Sequence, residues 1–362
     1  MPDDTDALLD ATTALVPRLL GALEALAFAG RHLHPPQLSE VVAALDAFAT
    51  PLAEGRTQFE KVAWPDHLQF FGTRLLESSA AALRALAALK ASTSDPNGVL
   101  KAYRAMRQNT LAVEALYPVA QVFPPVSRFF VDPDRRDDAN VLARVHAGDA
   151  TRDNVGVLHA ANTRDERGGF SLYVPEYYDA SRRWPLVMAL HGGSGHGADF
   201  LWTWLREART AGAIVAAPTA KGGTWSLMGE DVDAARLIDL VGRLSEHWRI
   251  DPGRVLLTGM SDGGTYSYLC GLATDAPFTH LAPISAAFHP MLLHEADARR
   301  LAGLPVYLVH GALDWMFPVD IARVASAALT AGGARVTYRE LADLSHTYPR
   351  EENARILEWF LA

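Results

Sequence analysis

From residue 151 to the C-terminus, short apolar and β-branched runs alternate with segments of helical periodicity, an order that leaves a chain few ways to fold. A run such as Leu186 to Leu190 has no polar face, so it must be covered on both sides, the condition of a mostly parallel sheet flanked by helices. The strand runs are Val155 to Ala161, Phe170 to Val174, Leu186 to Leu190, Ile214 to Ala217, Val255 to Thr258, Leu281 to Ser285, Val306 to Val309 and Val336 to Glu340. Too little chain separates the first two for a helical crossover, so they are predicted antiparallel. Helical patterns fall near Phe200 to Ala211, Val232 to His247, Gly264 to Ala273, Glu295 to Ala302, Ile321 to Ala331 and Glu351 to Leu361.

The first third of the chain has only helical periodicity. Leucines and alanines recur at helical spacing from Asp6 to Leu26, with Pro17 predicted to bend the helix, then from Leu38 to Phe48 and from Pro65 to Leu89. A fourth helix is predicted to start at Asp95-Pro96, an N-cap followed by proline at the first helical position, and to run to Leu116. These stripes carry no chemical constellation and read as the packing faces of a bundle. Pro124-Pro125 and the charged run Asp132 to Asp138 read as a solvated connection. The expected organisation is a helical bundle over residues 1–125, a linker over 126–150 and an α/β domain over 151–362.

The formal net charge of -9 and the absence of a basic block argue against nucleic acid or an anionic membrane as partner. One cysteine, Cys270, excludes an intramolecular disulfide. The acidic start Met-Pro-Asp-Asp-Thr-Asp is unlike a secretory signal, and no membrane span is read, so the expected location is cytoplasmic.

Within the α/β region, Arg254 to Gly264 reads as a buried strand, a turn and a helix start around Gly259-Met260-Ser261-Asp262-Gly263. That context suits a serine nucleophile held on a sharp turn, with glycines two residues either side relieving the crowding of strand against helix. Serine is a weak nucleophile and needs a base oriented by an acid. Asp314 follows the strand ending at Val309, and His346 follows the last strand, both where the sites of open α/β sheets lie. Asp343 and Asp320 are the alternatives for the acid. Of thirteen histidines, His280, His289, His294 and His310 lie beside earlier strands and read as loop residues. Upstream, His191-Gly192-Gly193-Ser194-Gly195-His196 follows a strand directly; Gly193 and Asp262 are the expected oxyanion donors through their backbone N–H groups, with the Asp262 carboxylate turned away. His191 and His196 lack a metal-ligand pattern, the glycines lack a phosphate-binding spacing, and no cofactor or metal is expected. Trp202, Trp204, Trp225, Trp315 and Phe317 fall near these loops; Trp225, Trp315 and Phe317 are the candidates for substrate contact.

The stretches Phe170 to Pro175, Pro185 to Gly193, and Asp231 through Arg254 to Gly264 resemble the polyhydroxybutyrate-depolymerase-like esterases, a branch of the α/β hydrolases that also includes feruloyl esterases. The resemblance covers about the last two hundred residues. It implies the α/β-hydrolase fold and cleavage of carboxylic esters through an acyl-enzyme, with Ser261, Asp314 and His346 as the triad. The N-terminal helical region is not a usual part of that branch, and Ser345-His346-Thr347 departs from its glycine-flanked histidine. Between the strands near Ile284 and Val306 only one helix fits, too little for a lid. The expected substrate is a small-molecule ester, and the N-terminal helices are read as a surface for a homo-oligomer, a cover for the pocket or a support for the catalytic domain. A thioesterase, a lysophospholipase or a peptidase would use the same triad. A binding module on a retired hydrolase fold would carry a damaged triad or oxyanion loop, and neither is present in the sequence.

Overall fold

A computed structural model describes residues 2–362, leaving out the side chains of residues 2–4, 294 and 295. The chain divides into two compact units, one ending at Pro133 and one from Asp134 to Ala362.

The first unit is helical: α1 (Pro2–Arg31), α2 (Leu38–Ala43), α3 (Asp46–Glu60), α4 (Gln69–Ser92), α5 (Gly98–Leu116) and α6 (Pro124–Phe129). Leu15, Leu19, Leu23 and Leu26 of α1 are buried, as are Leu52 and Phe59 of α3, Leu75, Ala82 and Leu89 of α4, and Ala112 and Leu116 of α5. Small residues let the helices close on each other: a Cβ on Gly55 of α3 would lie 2.5 Å from the Ala14 carbonyl oxygen. By length and composition alone α1 passes for a membrane span, with mean hydropathy reaching 1.3 within Thr5–Arg31, which the sequence reading did not allow for. Here it packs against α3, α4 and α5.

The helices differ from the sequence expectation in three places, the first being that the single helix expected over Leu38 to Phe48 is two, α2 and α3, the second continuing to Glu60. Asp95 and Pro96 form a turn before α5 rather than its first residues: the Asp95 carboxylate accepts from Asn97 N–H and its carbonyl from Gly98 N–H, so the helix starts two residues later. The segment 126–150, read as a linker, is largely helical. It holds most of α6 and then α7 (Ala139–His146), and Val126, Phe129, Phe130 and Val131 are buried. The apolar run outweighs the neighbouring prolines, which sit in the first turn of α6, where their missing N–H groups are no loss. Within the charged run, Asp138 caps α7 by accepting from Asn140 and Val141 N–H groups.

After α7, the second unit is built on strands β1 (Gly156–Ala160), β2 (Phe170–Val174), β3 (Trp184–Leu190), β4 (Ile214–Pro218), β5 (Ile250–Met260), β6 (His280–Ile284), β7 (Pro305–Gly311) and β8 (Arg335–Leu341). They form one sheet in the order β1-β2-β4-β3-β5-β6-β7-β8. β2 is antiparallel to β1 and β4, and the remaining pairs are parallel. The crossovers carry α8 (Gly197–Phe200) and α9 (Leu205–Ala211), then α10 (Ala234–His247), α11 (Asp262–Gly271), α12 (Leu292–Glu295) with α13 (Ala298–Leu301), and α14 (Asp320–Ala331); α15 (Glu352–Leu361) closes the chain. Between β6 and β7 there are thus two short helices where one was expected. This is the α/β-hydrolase fold.

All seven residues of β3 are buried, because both sheet faces are covered. On one face Trp184, Leu186, Met188 and Leu190 share a core with Leu237, Leu240 and Leu244 of α10 and Leu329 of α14. The central strands β3 and β5 therefore hold their ends rigidly, and the residues that follow them inherit that fixity.

Candidate active site

Ser261 follows the last residue of β5 and opens α11 with φ 56° and ψ -121°, a left-handed-side conformation that costs a non-glycine residue about 1–2 kcal/mol. Neighbours hold it there: Ser261 N–H donates to Ile284 O at the end of β6 (3.0 Å), and Thr265 N–H donates to Ser261 O (2.8 Å). The flanking glycines are required by contact. A Cβ on Gly259 would fall 2.5 Å from Gly263 C, one on Gly263 would fall 2.4 Å from Leu190 O, and one on Gly264 would fall 2.9 Å from Ile284 O. Strand β5, helix α11 and the ends of β3 and β6 thus meet at backbone distance, and the hydroxyl projects from that junction.

Ser261 Oγ lies 3.0 Å from His346 Nε2, and His346 Nδ1 lies 2.8 Å from Asp314 Oδ2. A carboxylate only accepts, so Nδ1 carries the proton and Nε2 presents a lone pair to the serine hydroxyl. The other Asp314 oxygen accepts from Met316 N–H (3.0 Å) and Phe317 N–H (2.8 Å), which fixes the carboxylate plane. The Phe317 ring stands edge-on to the His346 imidazole, centroids 5.2 Å apart. Of the alternative acids, Asp320 pairs with Arg323 and Asp343 is exposed. The structure brings together the three residues that the loop positions singled out.

His310, read from sequence as a loop histidine, belongs to this cluster. It is buried, its Nε2–H donates to Phe317 O (2.9 Å), and the same nitrogen is 3.6 Å from Asp314 Oδ2. Burial holds its pKa below the ordinary value. It ties the far side of the turn that carries Asp314. Of the other histidines read as loop residues, His280 is the first residue of β6 and its Nδ1 contacts the Thr279 hydroxyl, while His289 Nδ1 accepts from Met291 N–H. The His294 side chain lies outside the described residues.

The loop after β3 passes beside Ser261: a Cβ on Gly192 would be 3.5 Å from Ser261 Cβ. A Cβ on Gly193 would be 2.7 Å from Asp262 Oδ2. The Asp262 carboxylate, expected to point away from a developing oxyanion, lies against Gly193, where it accepts from the Thr224 hydroxyl (2.6 Å). Two hydrogen bonds fix the His191 ring: Nδ1–H donates to Gly192 O (2.7 Å), and Nε2 accepts from Ala220 N–H (3.1 Å). His196 donates from Nε2 to Glu166 O and accepts at Nδ1 from Ala198 N–H, capping α8. Both rings have backbone partners at both nitrogens.

The aromatic candidates separate. Trp225 is 3% exposed, donates through Nε1 to His191 O (2.7 Å) and stacks on Tyr266 with centroids 5.5 Å apart. It is therefore a structural residue behind the loop and not a wall of a substrate pocket. Trp202 and Trp204 are likewise buried. Trp315 is 42% exposed beside exposed Leu313 and Met316, and Phe317 is half-buried against the imidazole. These two remain available to a ligand.

His191 gives stability a pH dependence. It is 1% exposed, and burial pulls its pKa from 6.5 down to about 4. Between those values the unfolded chain binds more protons than the folded one, so this contribution is complete above the unfolded pKa and is lost as pH falls towards the folded one. Chemical denaturation at a series of pH values from about 7 to about 5 is expected to show falling stability, with a shallower slope in His191→Asn. Equal slopes would assign the effect elsewhere.

Residues 230–361 match the family model described as Phospholipase/Carboxylesterase, a span that contains Ser261, Asp314 and His346. The probable feruloyl esterase C of Aspergillus terreus is 25% identical over 158 residues, which are 42% of this chain and 56% of that protein. The chain thus spans little more than half the length of that relative. Among solved structures, a thermostable esterase is 21% identical with a TM-score of 0.47, the match covering 58% of this chain and 63% of that one. A substrate-bound fluorophosphonate-binding serine hydrolase of Staphylococcus aureus is 12% identical with a TM-score of 0.46, covering 57% of this chain and 97% of the other. The matched family and these relatives are esterases and serine hydrolases.

Proposed function

We infer, for a chain whose second unit has the α/β-hydrolase fold, that it hydrolyses small-molecule carboxylic esters through an acyl-enzyme on Ser261. The reading rests on one observation, the relay of Ser261 Oγ to His346 Nε2 at 3.0 Å and His346 Nδ1 to Asp314 Oδ2 at 2.8 Å, set on a strained turn at a strand end. His346 takes the hydroxyl proton as Ser261 attacks the ester carbonyl, and Asp314 stabilises the imidazolium. The N–H groups of Gly193 and Asp262 receive the charge that develops on the carbonyl oxygen. His346 returns its proton to the departing alcohol. Water then enters and attacks the acyl carbon as His346 takes its proton, and His346 returns that proton to Ser261 Oγ as the acid departs.

Trp315 and Phe317 line the approach to His346 in this reading and favour an ester with an apolar group. The probable feruloyl esterase among the relatives puts aromatic-acid esters on the list of substrates to test. Reaction in the cytoplasm, and self-association through the N-terminal helices, complete the proposal; the buried, unpaired Cys270 fits a reducing compartment.

Two measurements test it. A fluorophosphonate probe is expected to add its mass to the peptide containing Ser261, and an unlabelled Ser261 sinks the mechanism. A panel of p-nitrophenyl esters of rising acyl length, a feruloyl ester, an acyl-CoA, a lysophospholipid and an aminoacyl anilide is expected to show turnover of the oxygen esters above all others. Preference for the thioester, the lysophospholipid or the anilide would move the chain to that class while leaving the triad in place.

A further inference from the structure

The loop of residues 219–226, which follows β4, touches both the loop after β3 and the turn after β5, through hydrogen bonds and through the Trp225 ring. To the loop after β3 it makes three hydrogen bonds: Ala220 N–H donates to His191 Nε2 (3.1 Å), Trp225 Nε1–H donates to His191 O (2.7 Å), and Ser194 N–H donates to Gly223 O (3.0 Å). To the turn after β5 it makes one: the Thr224 hydroxyl donates to Asp262 Oδ2 (2.6 Å). The loop is anchored in turn by Asp233, which is 1% exposed and accepts from Lys221 N–H (3.0 Å), Ser226 N–H (3.1 Å) and the Ser226 hydroxyl (2.8 Å). The Trp225 ring is clamped between His191, 4.9 Å away, and Tyr266, 5.5 Å away. Tyr266 lies on α11, the helix that Asp262 begins.

We propose that residues 219–226 are a strap that fixes the spacing of the Gly193 and Asp262 amides, with Thr224 as a positioning residue acting through the Asp262 carboxylate. The inference rests on the oxyanion reading given above. Gly193 lies on a glycine-rich loop whose next residue, Ser194, has φ 57°, so little in its own sequence fixes it. The Asp262 carboxylate packs against Gly193, and without a partner it would be free to rotate and let that loop shift. Thr224 holds the carboxylate against Gly193 and so steadies the turn that carries the Asp262 N–H. An amide displaced by a fraction of an ångström loses most where the charge is largest, in the transition state, so the strap acts on kcat more than on KM.

The test uses the full chain and p-nitrophenyl butyrate. Thr224→Val keeps the shape and removes the donor; it is expected to lower kcat about tenfold with KM within about twofold and the pH profile unmoved. Thr224→Ser restores the hydroxyl and is expected to restore kcat. Trp225→Phe keeps the ring and removes the N–H to His191 O; it serves as the second variant, with the same fall in kcat, should Thr224→Val not fold. Ser261→Ala, run alongside, separates the two readings. If Ser261→Ala is inactive while Thr224→Val and Trp225→Phe match wild type, or if Thr224→Ser fails to rescue, the strap is wrong and the esterase mechanism stands. If Ser261→Ala keeps its activity, the site reading fails and the strap with it.

Discussion

Ser261→Ala is expected to lower kcat on a p-nitrophenyl ester by about 10⁴-fold or more, and Asp314→Asn by about 10³- to 10⁴-fold. The alanine leaves no atom to carry the acyl group, so what remains is binding and oxyanion stabilisation of attack by water. The asparagine acts less directly. Asp314 Oδ2 accepts from His346 Nδ1 at 2.8 Å, whereas an amide NH₂ placed there would donate, turning the imidazole to the tautomer that carries its proton on Nε2 and has no lone pair for Ser261. The backbone N–H groups of Met316 and Phe317 select the orientation, since they require an oxygen at the other position. Residues that work as one unit do not add, so the double variant should be no slower than Ser261→Ala alone. Steady-state kinetics on matched, folded samples decides it: a Ser261→Ala enzyme within about 100-fold of wild type removes the acyl-enzyme.

Gly263→Ala is expected to be strongly destabilising, costing about 3 kcal/mol or more and lowering Tm by about 6–12 °C. The added carbon would sit 2.4 Å from Leu190 O and 2.5 Å from His191 O. Both oxygens are backbone at the end of β3, a strand paired on each side, so neither can retreat without distorting the sheet centre. Gly242 is the control. It is an exposed position within α10 with nothing within 4 Å of a Cβ, and Gly242→Ala should stabilise the protein by about 0.5–1 kcal/mol through helix propensity. Thermal melts of the two alanine variants measure the contrast; equal Tm values would mean that the crowding at Gly263 relaxes at no cost.

The sheet was legible because its strands are buried on both faces, and a run such as Leu186 to Leu190 tolerates nothing polar. The same clarity reached Ser261, Asp314 and His346, since in a parallel sheet the loop after a strand has a known end and position along the chain discriminates among thirteen histidines. Aromatic residues near those loops gave no such signal. Trp225, Trp202 and Trp204 follow strand ends as a ligand-binding residue would, yet an indole that finds a buried carbonyl, as Trp225 finds His191 O, satisfies the same pattern from behind. His310 was missed because its role is to bond Phe317 O across a turn, a contact with no periodicity. Thr224 follows Gly222-Gly223 after β4, the same glycine-rich strand-end pattern that drew attention to Gly193, and it could have been found by that reasoning. In the helical unit, prolines and charges around residues 124–138 suggested a connection, while the burial of Phe129, Phe130 and Val131 decided the outcome.

The sheet order also grades the site by how firmly each residue is attached. Ser261 extends β5, which has strands on both sides, whereas His346 follows β8, an edge strand bonded only to β7 and with a partly exposed face. Local opening reaches sheet edges before centres. Under the proposed mechanism the base would therefore be released before the nucleophile, and activity is expected to be lost at a lower denaturant concentration than the global fold.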